Sequence, residues 1–110
     1  MNFEQYQTQA VGFVAFPEEQ PFSYLLPALA EEVGELQGIF AKNFRKYGHY
    51  NLSTEQKDNV RSELGDVLWN VAMLSEFIGY PLKWIAEENI MKLQNRKEKN
   101  EIATIQRRES

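Results

Sequence analysis

The chain has 110 residues, no cysteine and a formal net charge of −4. These values exclude disulfides, thiolate metal ligands and cysteine nucleophiles, and they argue against a protein that binds nucleic acid polymers through a basic surface. No apolar run approaches the roughly 20 residues of a membrane span, and no signal peptide is evident, so we expect a cytoplasmic protein without a membrane partner. A nucleotide substrate is compatible with this charge, because a bound cation can carry an anion to an acidic site.

Proline and glycine positions divide the sequence into four predicted helices. The first is short, from about Phe3 to Val14, and two prolines within residues 16–21 end it. Ser23 is the predicted N-cap of the second helix, with Pro27 close to its first turn. Apolar residues then recur at the helical period until the helix ends near residues 47–48: Leu25, Leu29, Val33, Leu36, Phe40 and Phe44.

The third helix has the clearest start, because Ser53 and Gln56 fit a capping box. Its apolar stripe contains Val60, Leu64, Val67, Val71, Leu74 and Ile78. Gly79 suits the left-handed position after a helix, and Pro81 suits the first turn of the fourth helix. The fourth helix is apolar in its first part, whereas residues 97–110 form a polar helical extension or tail.

The sequence therefore predicts an all-α fold, an antiparallel helical bundle of about four helices joined by short loops. We expect a single domain over residues 1–110, with a core from about residue 25 to residue 96. The first helix is too short to complete a four-helix core, and a chain of this size buries a modest apolar surface. A second subunit would supply the missing face, so we expect a homodimer or homotetramer.

Two acidic clusters lie beside the apolar stripes of the second and third helices. Glu31, Glu32 and Glu35 share one turn of the second helix, and Glu63 and Asp66 are one turn apart on the third. Packing the two stripes together would bring these carboxylates close, and burying like charges is expensive unless a cation neutralises them. Mg²⁺ prefers carboxylate oxygens and keeps waters that phosphates can displace. A magnesium site is therefore favoured over a solvated acidic face.

Each acidic cluster also contains a glycine, Gly34 in the first and Gly65 in the second. Glycine inside a helix costs roughly 1 kcal/mol relative to alanine. We expect a close approach of another backbone, or of a ligand, to explain that cost.

Several further side chains are candidates for contacts with a substrate. Lys92 and Arg96 lie one turn apart on the fourth helix, with Asn89 a turn earlier, and together they could grip phosphate oxygens. A solvated basic stretch is the alternative. Asn70, one turn after Asp66, is a weaker candidate for substrate binding. Trp69 could stack on a base, although a place in the core is favoured for it.

Three segments resemble the motifs of MazG-like nucleotide pyrophosphohydrolases. Residues 31–35 (EEVGE) and 63–66 (ELGD) look like the family's E-E-x-x-E and E-x-x-D motifs, and residues 89–96 (NIMKLQNR) are similar to its N-x-x-K-L-x-x-R segment. The resemblance implies hydrolysis of a (deoxy)nucleoside triphosphate to the monophosphate and pyrophosphate, with Mg²⁺ as cofactor and Mn²⁺ able to substitute. By position it implies that Glu32, Glu35, Glu63 and Asp66 are metal ligands. Glu31 would position or deprotonate the attacking water.

Three other interpretations compete with this one. A carboxylate-bridged di-iron bundle needs two Glu-x-x-His pairs, and the chain has a single histidine, His49. A non-catalytic helical nucleotide-binding or interaction module would need neither Mg²⁺ nor pyrophosphate release. A superfamily relative acting on dUTP or phosphoribosyl-ATP would share the same motifs, since these handle phosphates and not the base.

Overall fold

A computed structural model describes the backbone of residues 1–49 and 51–109 and the side chains of residues 1–49 and 51–101. Its four helices are α1 (Phe3–Val11), α2 (Pro21–Tyr47), α3 (Thr54–Ile78) and α4 (Leu82–Glu109). The predicted all-α bundle is confirmed, and the described residues contain no strand. None of these helices is both long and apolar enough to cross a membrane. The predicted polar extension is helical as far as Glu109, and Ser110 lies outside the described residues.

α1 ends three residues before the predicted position. The N–H groups of Gly12, Phe13 and Val14 bond to carbonyls three residues back, at Gln9, Ala10 and Val11. Such bonds close a tighter turn than the α-helix does. The chain therefore leaves the helix at Val11 and turns toward α2.

The prediction of Ser23 as the N-cap of α2 is wrong. The helix begins at Pro21, after Gln20, and Ser23 lies in its first turn with its N–H bonded to the Gln20 carbonyl. Proline is well suited to the first helical position, because it lacks an N–H that would be unpaired there and its φ is already helical. This earlier start places Pro27 inside the helix, in the second turn.

The predicted boundaries of α3 are confirmed. Ser53 Oγ accepts a hydrogen bond from the Gln56 N–H at 3.1 Å, and Gln56 Oε1 accepts one from the Ser53 N–H at 2.8 Å. Gly79 follows the helix with a φ of 86°, and Gly48 ends α2 in the same way with a φ of 72°. Both are left-handed conformations that glycine adopts without a steric penalty.

A buried asparagine, Asn43, holds the connection between α2 and α3. It is 2% exposed. Its Nδ2 donates to the Asn51 carbonyl at 2.9 Å and to the His49 carbonyl at 3.3 Å, and its Oδ1 accepts from Gln56 Nε2 at 2.9 Å. The loop is thereby tied to α2 on one side and to the capping box of α3 on the other.

The buried core takes residues from α1, the start of α2, the second half of α3 and the start of α4. It is formed by Ala10, Leu25, Ala72, Met73 and Leu82. Gln7 is also buried at this contact: its Nε2 donates to Glu76 Oε2 at 2.9 Å, and its Oε1 accepts from the Leu82 N–H at 2.7 Å. These bonds fix α1 to α3 and α4 at the same time.

Part of each predicted apolar stripe is exposed in the single chain. Val33, Leu64 and Ile78 were expected on buried faces, yet Leu64 and Ile78 are 51% and 54% exposed. Over the described residues, α4 contacts α1 and α3 but not α2, so it covers no part of α2. The radius of gyration is 18.7 Å, compared with about 13 Å for a compact domain of 100 residues. The chain alone therefore leaves much apolar helix surface uncovered.

Candidate metal centre

Three carboxylates from two helices converge at the α2–α3 contact. Glu32 comes from α2, and Glu63 and Asp66 come from α3, where they lie one helical turn apart. One carboxylate oxygen from each residue lies within 4.8 Å of the other two. The predicted meeting of the two acidic clusters is therefore confirmed.

The hydrogen bonding of these carboxylates is incomplete. Glu32 Oε2 and Glu63 Oε2 are both buried and have no hydrogen-bond partner among the described residues. Burial raises the pKa of Glu32 to about 7, helped by the neighbouring Glu63 side chain and by the negative charges of Glu35 and Asp66. In the metal-free chain a proton relieves this repulsion, and a divalent cation would relieve it more fully.

Asn70 adds a further oxygen next to the carboxylates. It is buried one turn after Asp66, and its Nδ2 donates to the Asp66 carbonyl at 2.9 Å. Its Oδ1 is buried and without a partner among the described residues. Carboxylate and amide oxygens are the ligands that hard cations such as Mg²⁺ prefer. The unpaired oxygens of Glu32, Glu63 and Asn70 thus fit a divalent cation in this part of the molecule.

The other two predicted acids lie at the edge of this cluster. Glu35 is exposed and lies outside the group of mutually close oxygens, but its charge is near enough to raise the pKa of Glu32. Glu31 is exposed beside Glu32 on α2. The structure thus brings together three of the four predicted ligands. The roles of Glu35 as a ligand and of Glu31 as a helper of the attacking water stay predictions.

The predicted phosphate-binding residues are not part of this cluster within one chain. Asn89, Lys92 and Arg96 are exposed on α4, and over the described residues α4 makes no contact with α2, which carries Glu32. Lys92 lies ten residues after the start of α4, or about 15 Å along the helix. Their role in binding phosphate stays a prediction.

Trp69 is packed among core residues. Its Nε1 donates to the Ala10 carbonyl at 3.1 Å, and its ring meets Phe16 edge to face, with centroids 6.4 Å apart. This position agrees with the core interpretation that the sequence favoured. Its candidate role as a stacking surface for a base stays a prediction.

The expectation that another backbone crowds Gly34 and Gly65 is wrong for the described chain. A Cβ added at either position would meet no atom within 4 Å. The helix backbone at both glycines is therefore open on the outside. The other expectation, that a ligand comes close to these glycines, stays a prediction.

Tyr6 lies near the carboxylates although no sequence motif includes it. Burial raises the pKa of its hydroxyl, and the negative charge of Asp66 raises it further. The two residues are 60 positions apart in the sequence, and only the packing of α1 on α3 brings them close. A contact of this kind leaves no local pattern in the sequence.

The fold and the site together define an all-α protein with a cluster of carboxylates between two long helices. The sequence matches the MazG nucleotide pyrophosphohydrolase domain over residues 20–100. The chain therefore belongs to the MazG family, as its motifs predicted. The Gene 37 protein of Mycobacterium phage L5 is 30% identical over 108 residues, a match covering 93% of this chain and 94% of the phage protein. The search of solved structures found no match.

Proposed function

We propose that the protein is a Mg²⁺-dependent pyrophosphohydrolase that converts a ribo- or deoxyribonucleoside triphosphate to the monophosphate and pyrophosphate. The observation that carries this proposal is the convergence of Glu32, Glu63 and Asp66, with two buried oxygens lacking partners, in a member of the MazG family. Hydrolysis of a phosphoanhydride depends mainly on charge neutralisation and on the placement of water. Clustered carboxylates that hold a cation provide for both.

The acidic residues divide into two proposed roles. Glu32, Glu35, Glu63 and Asp66 hold the cation, which when bound neutralises phosphate charge and lowers the pKa of a bound water. Glu31 precedes Glu32 on α2, and its side chain is exposed to bulk water. From there its carboxylate can orient the attacking water and accept its proton.

We further propose that the site is completed by a second copy of the chain, in a homodimer or homotetramer. Large apolar side chains are exposed on two helices: Leu64 and Ile78 of α3 and Trp84, Ile90 and Leu93 of α4. Exposed apolar surface of this extent marks a protein interface. Since α4 does not contact α2 within the described chain, Asn89, Lys92 and Arg96 would bind phosphate oxygens held by the other copy. Light scattering on the purified protein measures the oligomeric state directly.

The central experiment is a hydrolysis panel. Canonical and modified nucleoside triphosphates, dUTP and phosphoribosyl-ATP are incubated with the protein and Mg²⁺, and pyrophosphate and monophosphate are measured. We expect both products from at least one nucleotide and none after removal of Mg²⁺ with a chelator. Glu35→Gln and Asp66→Asn should abolish turnover, whereas Glu55→Gln, an exposed acid in the first turn of α3, should not. An intact panel, or full activity in both variants, contradicts the proposal.

A further inference from the structure

A buried amide shares the face of α3 that carries two acids of the candidate metal centre. Asn70 follows Asp66 by four residues and Glu63 by seven. At 3.6 residues per turn, its Cβ projects about 40° from that of Asp66 and about 20° from that of Glu63 around the helix axis. Asn70 is 4% exposed, so its amide belongs to the buried face of α3 that meets Glu32 of α2.

The side chains of Asn70 and Glu32 lean toward each other. Side chains on a helix tilt toward its N-terminus, which takes Asn70 toward Asp66 on α3. The hydrogen bond from Asn70 Nδ2 to the Asp66 carbonyl, at 2.9 Å, agrees with this tilt. α2 runs antiparallel to α3, because only residues 48–53 join these two packed helices. Glu32 therefore tilts along α2 in the direction of the α3 residues that follow Asp66, and Asn70 is one of them.

The Asp66 carbonyl sets the orientation of the Asn70 amide. A carbonyl oxygen accepts hydrogen bonds and cannot donate one, so the amide turns its NH₂ group toward it. The reverse orientation would place two oxygen atoms against each other. Asn70 Oδ1 is then the atom that is buried without a partner among the described residues. It is a neutral acceptor, which only a hydrogen-bond donor or a cation can satisfy.

We propose that Asn70 Oδ1 accepts a hydrogen bond from a water bound to the cation of the candidate metal centre, which makes Asn70 a positioning residue of that centre. The inference rests on the proposed function only in requiring a cation at Glu32, Glu63 and Asp66. Mg²⁺ gives up its waters reluctantly, and the hydrogens of each bound water need acceptors. A neutral amide provides such an acceptor without adding another negative charge to three clustered carboxylates.

The test compares Mg²⁺ affinity among variants of the full-length protein, by calorimetric titration without nucleotide. Asn70→Leu keeps a similar volume and removes both the acceptor and the donor, so we expect the Kd for Mg²⁺ to rise about tenfold. Asn70→Asp keeps an acceptor oxygen but loses the bond to the Asp66 carbonyl. Its Kd should be equal to or below the original value, because the acceptor remains and a negative charge is added. Asn59→Leu, at an exposed asparagine one turn before Glu63, is the matched control and should leave the Kd unchanged.

These substitutions separate the proposed role from a purely structural one. If Asn70 only tied down the Asp66 carbonyl, both of its variants would lose that bond and would weaken Mg²⁺ binding equally. In the original protein, the NMR signals of the Asn70 side-chain NH₂ group should shift when Mg²⁺ is added, since a bond accepted at Oδ1 polarises the amide. Equal weakening in both variants, an unchanged Kd in Asn70→Leu, or Asn70 signals that Mg²⁺ does not move would overturn the inference.

The outcome for Asn70 is independent of turnover. The expected changes in Kd, in a protein that hydrolyses no nucleotide, would support the role of Asn70 and contradict the proposed reaction. Hydrolysis by the original protein, together with an unchanged Kd in Asn70→Leu, would support the reaction and overturn the role of Asn70.

Discussion

Two polar clusters, one in the second half of α3 and one near its middle, have opposite hydrogen-bond balance. In the second half, the Gln7 amide uses both of its ends, one on Glu76 and the other on the Leu82 N–H. Near the middle of α3, one oxygen each of Glu63 and Asn70, together with one of Glu32 from α2, is buried without a partner among the described residues. Both clusters lie where helices meet, and only the first has its buried side-chain groups paired.

This difference separates a cluster whose hydrogen bonds hold the fold from one whose unpaired oxygens a ligand would satisfy. An unpaired buried acceptor costs about 1–3 kcal/mol. Three such acceptors in one region lower the stability of the folded chain, and a bound cation or substrate would remove that cost. Completing such a site stabilises the folded chain by mass action, which gives a measure of ligand binding that is independent of catalysis.

The largest expected effect is on the stabilisation that Mg²⁺ gives at the cluster of Glu32, Glu63 and Asn70. At 100 times its Kd, Mg²⁺ should raise the free energy of unfolding by about 2.7 kcal/mol. Glu63→Gln should lose most of this gain, because an amide carries no charge to hold the cation. Urea unfolding with and without Mg²⁺ measures both values. An undiminished gain in Glu63→Gln would show that the cation binds elsewhere.

Removal of the Gln7 side chain should have the next largest effect, on the stability of the metal-free chain instead of on its gain from Mg²⁺. Gln7→Ala leaves the buried Leu82 N–H and the Glu76 carboxylate without a partner, so we expect a loss of about 1–3 kcal/mol in the free energy of unfolding. The gain from Mg²⁺ should remain. Gln9→Ala is the matched control, since this glutamine is exposed on the same helix. Equal losses in the two variants would mean that the Gln7 bonds do not hold α1.

The raised pKa of Glu32 predicts a pH dependence of the metal-free chain. Its folded pKa is about 7, above its ordinary value of 4.5, so the folded state binds the proton more tightly than the unfolded state does. The resulting stabilisation is complete below pH 4.5 and is lost as the pH rises toward 7. Glu32→Gln cannot ionise, so without metal it should melt several degrees above the original protein at pH 8 and close to the original protein at pH 4. With Mg²⁺ present the advantage at pH 8 should disappear. A pH-independent difference would contradict this account.

The smallest expected effect is at Gly65. Because an added Cβ meets no atom within 4 Å, Gly65→Ala should raise the free energy of unfolding by about 0.5–1 kcal/mol through its helix propensity. Gly34→Ala should do the same on α2. If either substitution lowers nucleotide hydrolysis while stabilising the chain, a substrate or a second subunit lies against that glycine. Destabilisation would show that the glycine is enclosed in the assembled protein.

The sequence predicted features that depend on neighbours within one helix. The α3 boundaries follow from Ser53, Gln56 and Gly79, whose interactions span at most a few residues. The convergence of the acids follows from turn spacing on two adjacent helices. The start of α2 was misplaced because two capping signals, Ser23 and Pro21, lie close together, and the proline determines the start.

Contacts between distant segments could not be predicted in this way. The bonds of Gln7 to residues 76 and 82, and the nearness of Tyr6 to Asp66, exist because α1 folds back on α3. An isolated glutamine or tyrosine on a short helix carries no periodic signal. The exposure of Leu64 and Ile78 was likewise unpredictable, since it depends on where α4 goes and not on the stripe itself.

The buried amide of Asn43 has a consequence for how this chain can change in length. Surface loops between helices ordinarily accept inserted residues at small cost, since closing a longer loop adds little entropy. Here the amide meets the carbonyls of two particular loop residues, His49 and Asn51, together with Gln56. An insertion after Gly48 would shift that register and leave the amide buried without acceptors. These bonds thus constrain the length of the short α2–α3 connection. Inserted residues should be tolerated better in the segment between α1 and α2.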